Sequence, residues 1–204
     1  MLKNKKKPTK YGYDENEETT IWEEILDFVK VFAISAIVIT LFVNFIAYPV
    51  SVKGRSMYPT LQDGDKGFTN IIGLSMSSPK RGDIVVVKID DPETGEKEHW
   101  VKRILAGPGD TIECIQGQIY VNDELLDESE YISPEYEQQM IDEFGAFNTN
   151  FDAVTLGEDE YYVVGDNRPY SHDSRYEDVG PIKADQIFGK GVFVYWPFSQ
   201  FGGH

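Results

Sequence analysis

The feature that most constrains this chain is a run of 20 residues without a charge, VFAISAIVITLFVNFIAYPV, from Val31 to Val50. As a helix rising ~1.5 Å per residue it would be about 30 Å long, the thickness of a hydrocarbon core. A cleaved leader fits poorly: the run exceeds the usual ~7–15 apolar residues, and no small-x-small site closes it. A buried soluble helix is the other reading, and Asn44 and Pro49 near the end of the run favour it. The first ten residues carry five lysines and no acid, whereas residues 11–27 carry seven acids and no base. The orientation rule counts Lys and Arg rather than net charge, so it places the N-terminus in the cytoplasm. The expected organisation is a disordered cytoplasmic tail over 1–27, an uncleaved transmembrane signal-anchor helix over 28–50, and an extracytoplasmic domain over 51–204.

Residues 51–204 hold 13 Lys and Arg against 28 Asp and Glu, nearly all of the chain's net charge of −16. Such a domain repels phosphate backbones, which argues against nucleic acid as a partner. The single cysteine, Cys114, excludes an internal disulfide and reads as a core strand residue, and the three histidines offer no zinc spacing. Neither a metal nor a cofactor is called for.

The domain reads as β. GDIVVVKID (82–90), HWVKRILAG (99–107), EYYVVGD (160–166) and GKGVFVYWPF (189–198) have strand character, and TIECIQGQIYVND suggests a hairpin about Gln116-Gly117. The stretch 127–152 reads as a polar insertion, expected to be mobile, with a short helix near Pro134–Phe144. The fold class is therefore mostly β, an antiparallel-sheet domain on one N-terminal transmembrane helix.

Chemistry concentrates in three places. GRSMYPTLQDGD (54–65) holds Ser56 in a tightly turned Gly- and Pro-rich setting. On the strand HWVKRILAG, alternation puts Trp100, Lys102 and Ile104 on one face, and Val101, Arg103 and Leu105 on the other. A lysine between Trp and Ile is placed to be desolvated. Bringing it from ~10.4 to the ~7–8 of a working base costs about 4 kcal/mol. The plainer reading is a lysine that snorkels at a sheet edge. Arg103 reads as a surface or ion-pair residue. GDNRPYSHDSR (165–175) leaves a strand as a polar loop, where Asp166 and Asn167 suit turn backbone and Ser171, Asp173 and Arg175 alternate. His172 beside Asp173 suggests a Ser–His–Asp arrangement, but sequence neighbours on extended backbone point apart.

Four segments, SMYPTL (56–61), GDIVVV (82–87), VKRILAGPGD (101–110) and GDNRPYSHDSR (165–175), resemble in order those of the type I signal peptidases, membrane-anchored serine–lysine proteases that remove signal peptides from exported preproteins. The compact size resembles the Gram-positive branch. The resemblance implies Ser56 as nucleophile, Lys102 as general base, an oxyanion hole from the backbone N–H groups of Ser56 and Gly54, and Ser171 bonded to the lysine. It also implies that Asp166, Asp173 and Arg175 support the loop. The partners it implies are signal peptides of preproteins, the lipid bilayer and the translocation machinery. LAGPGD departs from the commoner Ile-Gly-Leu-Pro-Gly-Asp, and Gly54 lacks the hydroxyl some members carry there. Met57, Tyr58, Leu61 and Phe68 are either core or an apolar surface that dips into the bilayer. The rival from another class is a catalytically silent anchored relative, acting as a scaffold or in pilus assembly. Such relatives typically lose the serine or the lysine, and both are present here.

Overall fold

In the computed structural model, residues 21–45, 47–90 and 95–204 are described, with the side chains of 42–45 and 75 excepted. The expected tail over 1–20 lies outside the described residues. The chain divides into two units, Met1–Leu41 and Phe42–His204. The first contains most of helix α1, Ile21–Phe45. This helix begins inside the stretch expected as tail: Trp22, Ile25, Leu26 and Val29 recur at helical spacing, so the apolar pattern starts before the charge-free run. Among the described residues no helix is long and apolar enough to cross a membrane. The stretch of α1 with described side chains, 21–41, still includes Glu23, Glu24, Asp27 and Lys30.

The helix also stops short of the expected boundary at 50. Ala47–Ser51 is strand β1. Pro49 accounts for this, since it biases Tyr48 toward extended backbone and, lacking an N–H, suits an edge strand. β1 is such an edge, paired only with β2 (Lys66–Asn70). A short helix α2 (Ile72–Met76) leads to β3 (Ile84–Asp90) and β4 (Lys97–Ala106). Next come β5 (Thr111–Ile115), β6 (Gln118–Val121), β7 (Glu124–Leu125) and helix α3 (Pro134–Phe144). The chain continues through β8 (Phe151–Thr155), β9 (Glu160–Val164), β10 (Ile182–Lys183), β11 (Ile187–Trp196) and β12 (Gly202–Gly203).

The strands form two antiparallel sheets. The larger runs β1-β2-β11-β3-β4-β9-β10 with β12 on β11, and the smaller runs β7-β6-β5-β8. The continuous apolar centre of β3 is explained by burial on both faces. Val85, Val87 and Ile89 join Ile104, Val163 and Ile187 in one cluster, while Ile84 and Val86 join Val52, Met57, Leu61 and Val194 in another. A third cluster, including Leu105, Ile112, Cys114 and Tyr162, links the two sheets. Burying each large aliphatic chain is worth about 1.5–3 kcal/mol, so these clusters hold the strands that carry the site. At the predicted hairpin, Gln116 (φ 53°) and Gly117 (φ 78°) both take positive φ, as a tight two-residue turn requires.

The stretch 127–152 is packed, against the expectation of mobility. Ser133 caps α3 by accepting from Tyr136 N, Pro134 occupies the first turn, and Gly145 closes the helix at φ 83°. Ile132, Tyr136, Met140 and Phe147 form a small core of their own. Charge on the outer face had masked an apolar inner one.

Candidate active site

Ser56 sits in a turn fastened on several sides. Val52 N donates to Asp65 O at 2.8 Å, Leu61 N to Met57 O at 2.9 Å, and Met57 and Leu61 are buried beneath. Those two residues are therefore core, because their side chains complete the cluster under β3; Tyr58 remains exposed. The polar loop grips the same turn from the other side. Asn167 N donates to Ser56 O at 2.9 Å, and Asn167 Nδ2 donates to Arg55 O at 2.9 Å. From α3, the Tyr136 hydroxyl donates to Tyr58 O at 3.3 Å.

Gly54 takes φ +83°, the backbone a glycine is needed for. Its N–H donates to Asp63 Oδ1 at 2.8 Å. That corrects its assignment as an oxyanion donor: the N–H already has an ionised acceptor, which leaves Ser56's own N–H as the backbone candidate.

Lys102 lies on β4 opposite Val85 of β3 and is only 4% exposed. Its Nζ donates to Ser171 Oγ at 3.0 Å and stands 5.4 Å from the Trp100 ring centroid. Burial lowers its pKa to about 8; Asp173 and Asp166 pull it back upward, and Arg175 pushes it down. Ser171 also hydrogen-bonds Asp173. Burial alone would raise the Asp173 carboxyl, but the Arg175 guanidinium brings it below the ordinary carboxylate value. An ionised Asp173 only accepts, so Ser171 gives its proton to Asp173 and offers Lys102 a lone pair. Two of the lysine's N–H directions and its lone pair, when neutral, remain for the cleft.

The other predicted residues divide their work. Asp173 takes Arg175 Nε at 2.7 Å, Arg175 Nη2 at 2.9 Å and Gly165 N at 3.0 Å. Arg175 also donates to the carbonyls of Arg168 and Ser171 at 2.8 and 3.0 Å, which fixes the loop's curvature. Asp166 supports a different place from the lysine. It takes a two-pronged bond from Arg103 at 2.8 and 2.7 Å and a hydroxyl bond from Thr60 at 2.5 Å. Arg103, read as surface or ion-paired, is a buried ion pair that joins β4 to the loop and to the serine's turn. The sequence reading missed Thr60, Asn167 and Tyr136 as site supports, and also Arg168, buried and paired with Glu128 and Asn148. Arg168 lies within the quoted motif, where a long cation beside Gly-Asp-Asn was a signal; Glu128, 40 residues earlier, carried none.

Ser56, Met57, Trp100, Val101 and Lys102 line one cleft of about 630 Å³, with β1 along one wall and the outer half of β4 along the other. A hydroxyl on a braced turn and a buried amine of lowered basicity in one cleft are the parts of an acyl-transfer site.

A family description, signal peptidase, peptidase S26, matches residues 25–196. The chain belongs to this signal peptidase family. It is a serine endopeptidase by that membership. It is 36% identical over 186 residues to signal peptidase I of Bacillus amyloliquefaciens, covering 91% of this chain and 96% of that protein. It is 34% identical over 186 residues to signal peptidase IB of Staphylococcus aureus strain COL, covering 88% and 93%. A crystal structure of a signal peptidase I from Enterococcus faecalis V583 is similar at TM-score 0.46 and 28% identity, over 55% of this chain and 96% of that one.

Proposed function

We propose that this signal peptidase cleaves signal peptides from exported preproteins by a Ser56–Lys102 dyad through an acyl-enzyme. The observation that carries the proposal is the buried Lys102 amine, of pKa about 8, in the cleft that Ser56 lines. Neutral Lys102 takes the Ser56 proton as the hydroxyl attacks the scissile carbonyl. The resulting ammonium is held by Ser171, with the Asp173 charge behind it, and then gives a proton to the leaving amine. Water, deprotonated by the same lysine, hydrolyses the ester. The developing oxyanion is met by Ser56 N–H.

Substrate binding follows from strand edges. β9 pairs with β4 only from Arg103 onward, and β1 pairs only with β2, so among the described residues both cleft walls carry unpaired backbone. An extended peptide adds to such edges by main-chain hydrogen bonds, with selectivity left to side-chain pockets.

The bilayer and the translocation machinery are the proposed surroundings. The charge-free residues 31–45 of α1 favour a membrane anchor with the N-terminus cytoplasmic and the catalytic domain outside. A second feature supports a lipid surface. Residues 187–204 contain no Asp or Glu in a domain that carries 28, and neither do β1 and β2 beside β11. Phe193, Tyr195, Trp196, Phe198 and Phe201 stand exposed there, the aromatic composition of a membrane–water interface.

The test is cleavage of a model preprotein in detergent by the wild type, Ser56→Ala and Lys102→Ala proteins. Both variants should fold and cleave nothing; substantial activity in the lysine variant refutes the dyad. Lys102→His should not restore cleavage, because the shorter ring does not reach where the amine sits.

A further inference from the structure

His172 is left without a task by the dyad, yet it lines the same cleft. Ser171 has extended backbone, φ −109° and ψ 123°, so Ser171 and His172 point apart. The hydroxyl of Ser171 reaches the Lys102 amine, while the imidazole of His172 meets Trp100 edge-on, at 5.9 Å and 81° between rings. Trp100 is two residues before Lys102 on the same face of β4, and its ring stands 5.4 Å from Nζ. No strand covers this flank among the described residues, because the β9 pairing begins only at Arg103. The loop does so instead, and His172 is its contact with the indole.

The imidazole is itself held. Its Nε2 lies 3.0 Å from Asp178 Oδ2, and its ring stacks on Tyr176 at 4.3 Å. On the far side the indole Nε1 donates to Glu98 Oε2 at 2.8 Å. Trp100 is thus pinned between a strand carboxylate and a loop imidazole, over the amine that must stay dry.

We infer that His172 is a positioning residue for the base: held by Asp178 and Tyr176, its ring presses Trp100 over Lys102 and keeps water from the amine. This rests on Lys102 being the base. The charged groups that face the lysine are Asp173, Asp166 and Arg175, and none of them is displaced by losing the imidazole. Glu98 and Asp178 face the indole and the imidazole. If the ring is removed, water reaches Nζ, the ammonium is better solvated, and a higher pH is needed to free the base.

The experiment is the pH dependence of kcat and kcat/KM on a signal-peptide substrate, using the full chain in detergent. His172→Ala should move the acid limb upward by roughly one pH unit, with activity recovering above it. His172→Phe, which keeps a ring and removes its proton, should return the limb to the wild-type position. Asp178→Asn should shift it in the same direction as His172→Ala, by less. The His172 side chain is 41% exposed, so its replacement leaves the core intact. An unmoved limb in His172→Ala overturns the inference, as does a His172→Phe protein that shares the alanine shift. A change confined to KM would make His172 a substrate contact and overturn it too. Activity in Lys102→Ala would instead refute the dyad beneath it, so the two failures are distinguishable.

Discussion

Gly165 heads the polar loop, and a methyl group there should disable the enzyme from beneath. A Cβ built on Gly165 would lie 2.3 Å from Ser171 Oγ, 2.6 Å from Ser171 Cβ and 2.4 Å from Ser56 O. Ordinary contacts begin at 3.4 Å, so in Gly165→Ala the two serines must each retreat by about 1 Å. Neither can do so freely. Ser56 O is held by Asn167 N at 2.9 Å, and Ser171 sits between Lys102 and Asp173. Overpacking of this kind costs about 1–3 kcal/mol of stability. A displacement near 1 Å between a nucleophile and its base costs on the order of 100-fold in rate. The assay is kcat/KM on a signal-peptide substrate, alongside the denaturant midpoint of the same protein. Adding Ser171→Gly removes two of the three close contacts and should recover stability while leaving activity low. A Gly165→Ala enzyme with unchanged midpoint and a rate within a few-fold of wild type would refute the reasoning.

Ser171→Ala removes the acceptor that stabilises the lysine ammonium, so kcat/KM should fall about 10- to 100-fold, from roughly 1.5–3 kcal/mol for a charge-assisted bond. Its acid limb should move down in pH, opposite to His172→Ala, and a pH titration of rate separates the two. Lys102→Met should be inactive yet more stable. The folded pKa of about 8 lies below the ordinary 10.5, so burial of the ammonium costs about 3 kcal/mol below pH 8, and that cost disappears as pH rises past 10.5. Denaturant melts should accordingly show the wild type gaining stability between pH 8 and 10.5, and the methionine protein staying flat in that window. Glu128→Ala leaves the buried Arg168 guanidinium without its ionised partner and should cost about 3–5 kcal/mol in the same melts.

Local physics made much of this protein legible. Val85 to Val87 announced a doubly buried strand, and Gln116-Gly117 a turn. Ser133, Pro134 and Gly145 bracketed a helix that could be placed to the residue, because caps and turns are decided by neighbours in the chain. Trp100 and Ile104 flanked Lys102 at the strand period, which suggested a desolvated amine before any contact was known. The helix and strand boundary near Pro49 was less legible, since apolar residues serve a span and an edge strand equally well.

The sequence by itself determined the inventory: a serine on a turn, a lysine on an apolar strand face, an acidic β domain and a charge-free helical run. Tertiary structure alone decided the partnerships. It spent Gly54 N–H on Asp63, gave Asp166 to Arg103 and Thr60 instead of the lysine, joined Arg168 to Glu128 across 40 residues, and set His172 against Trp100. The reason is physical. A residue's propensity depends on its own backbone and near neighbours, whereas the partner of a buried charge is whichever distant group the packed sheets bring within about 3 Å.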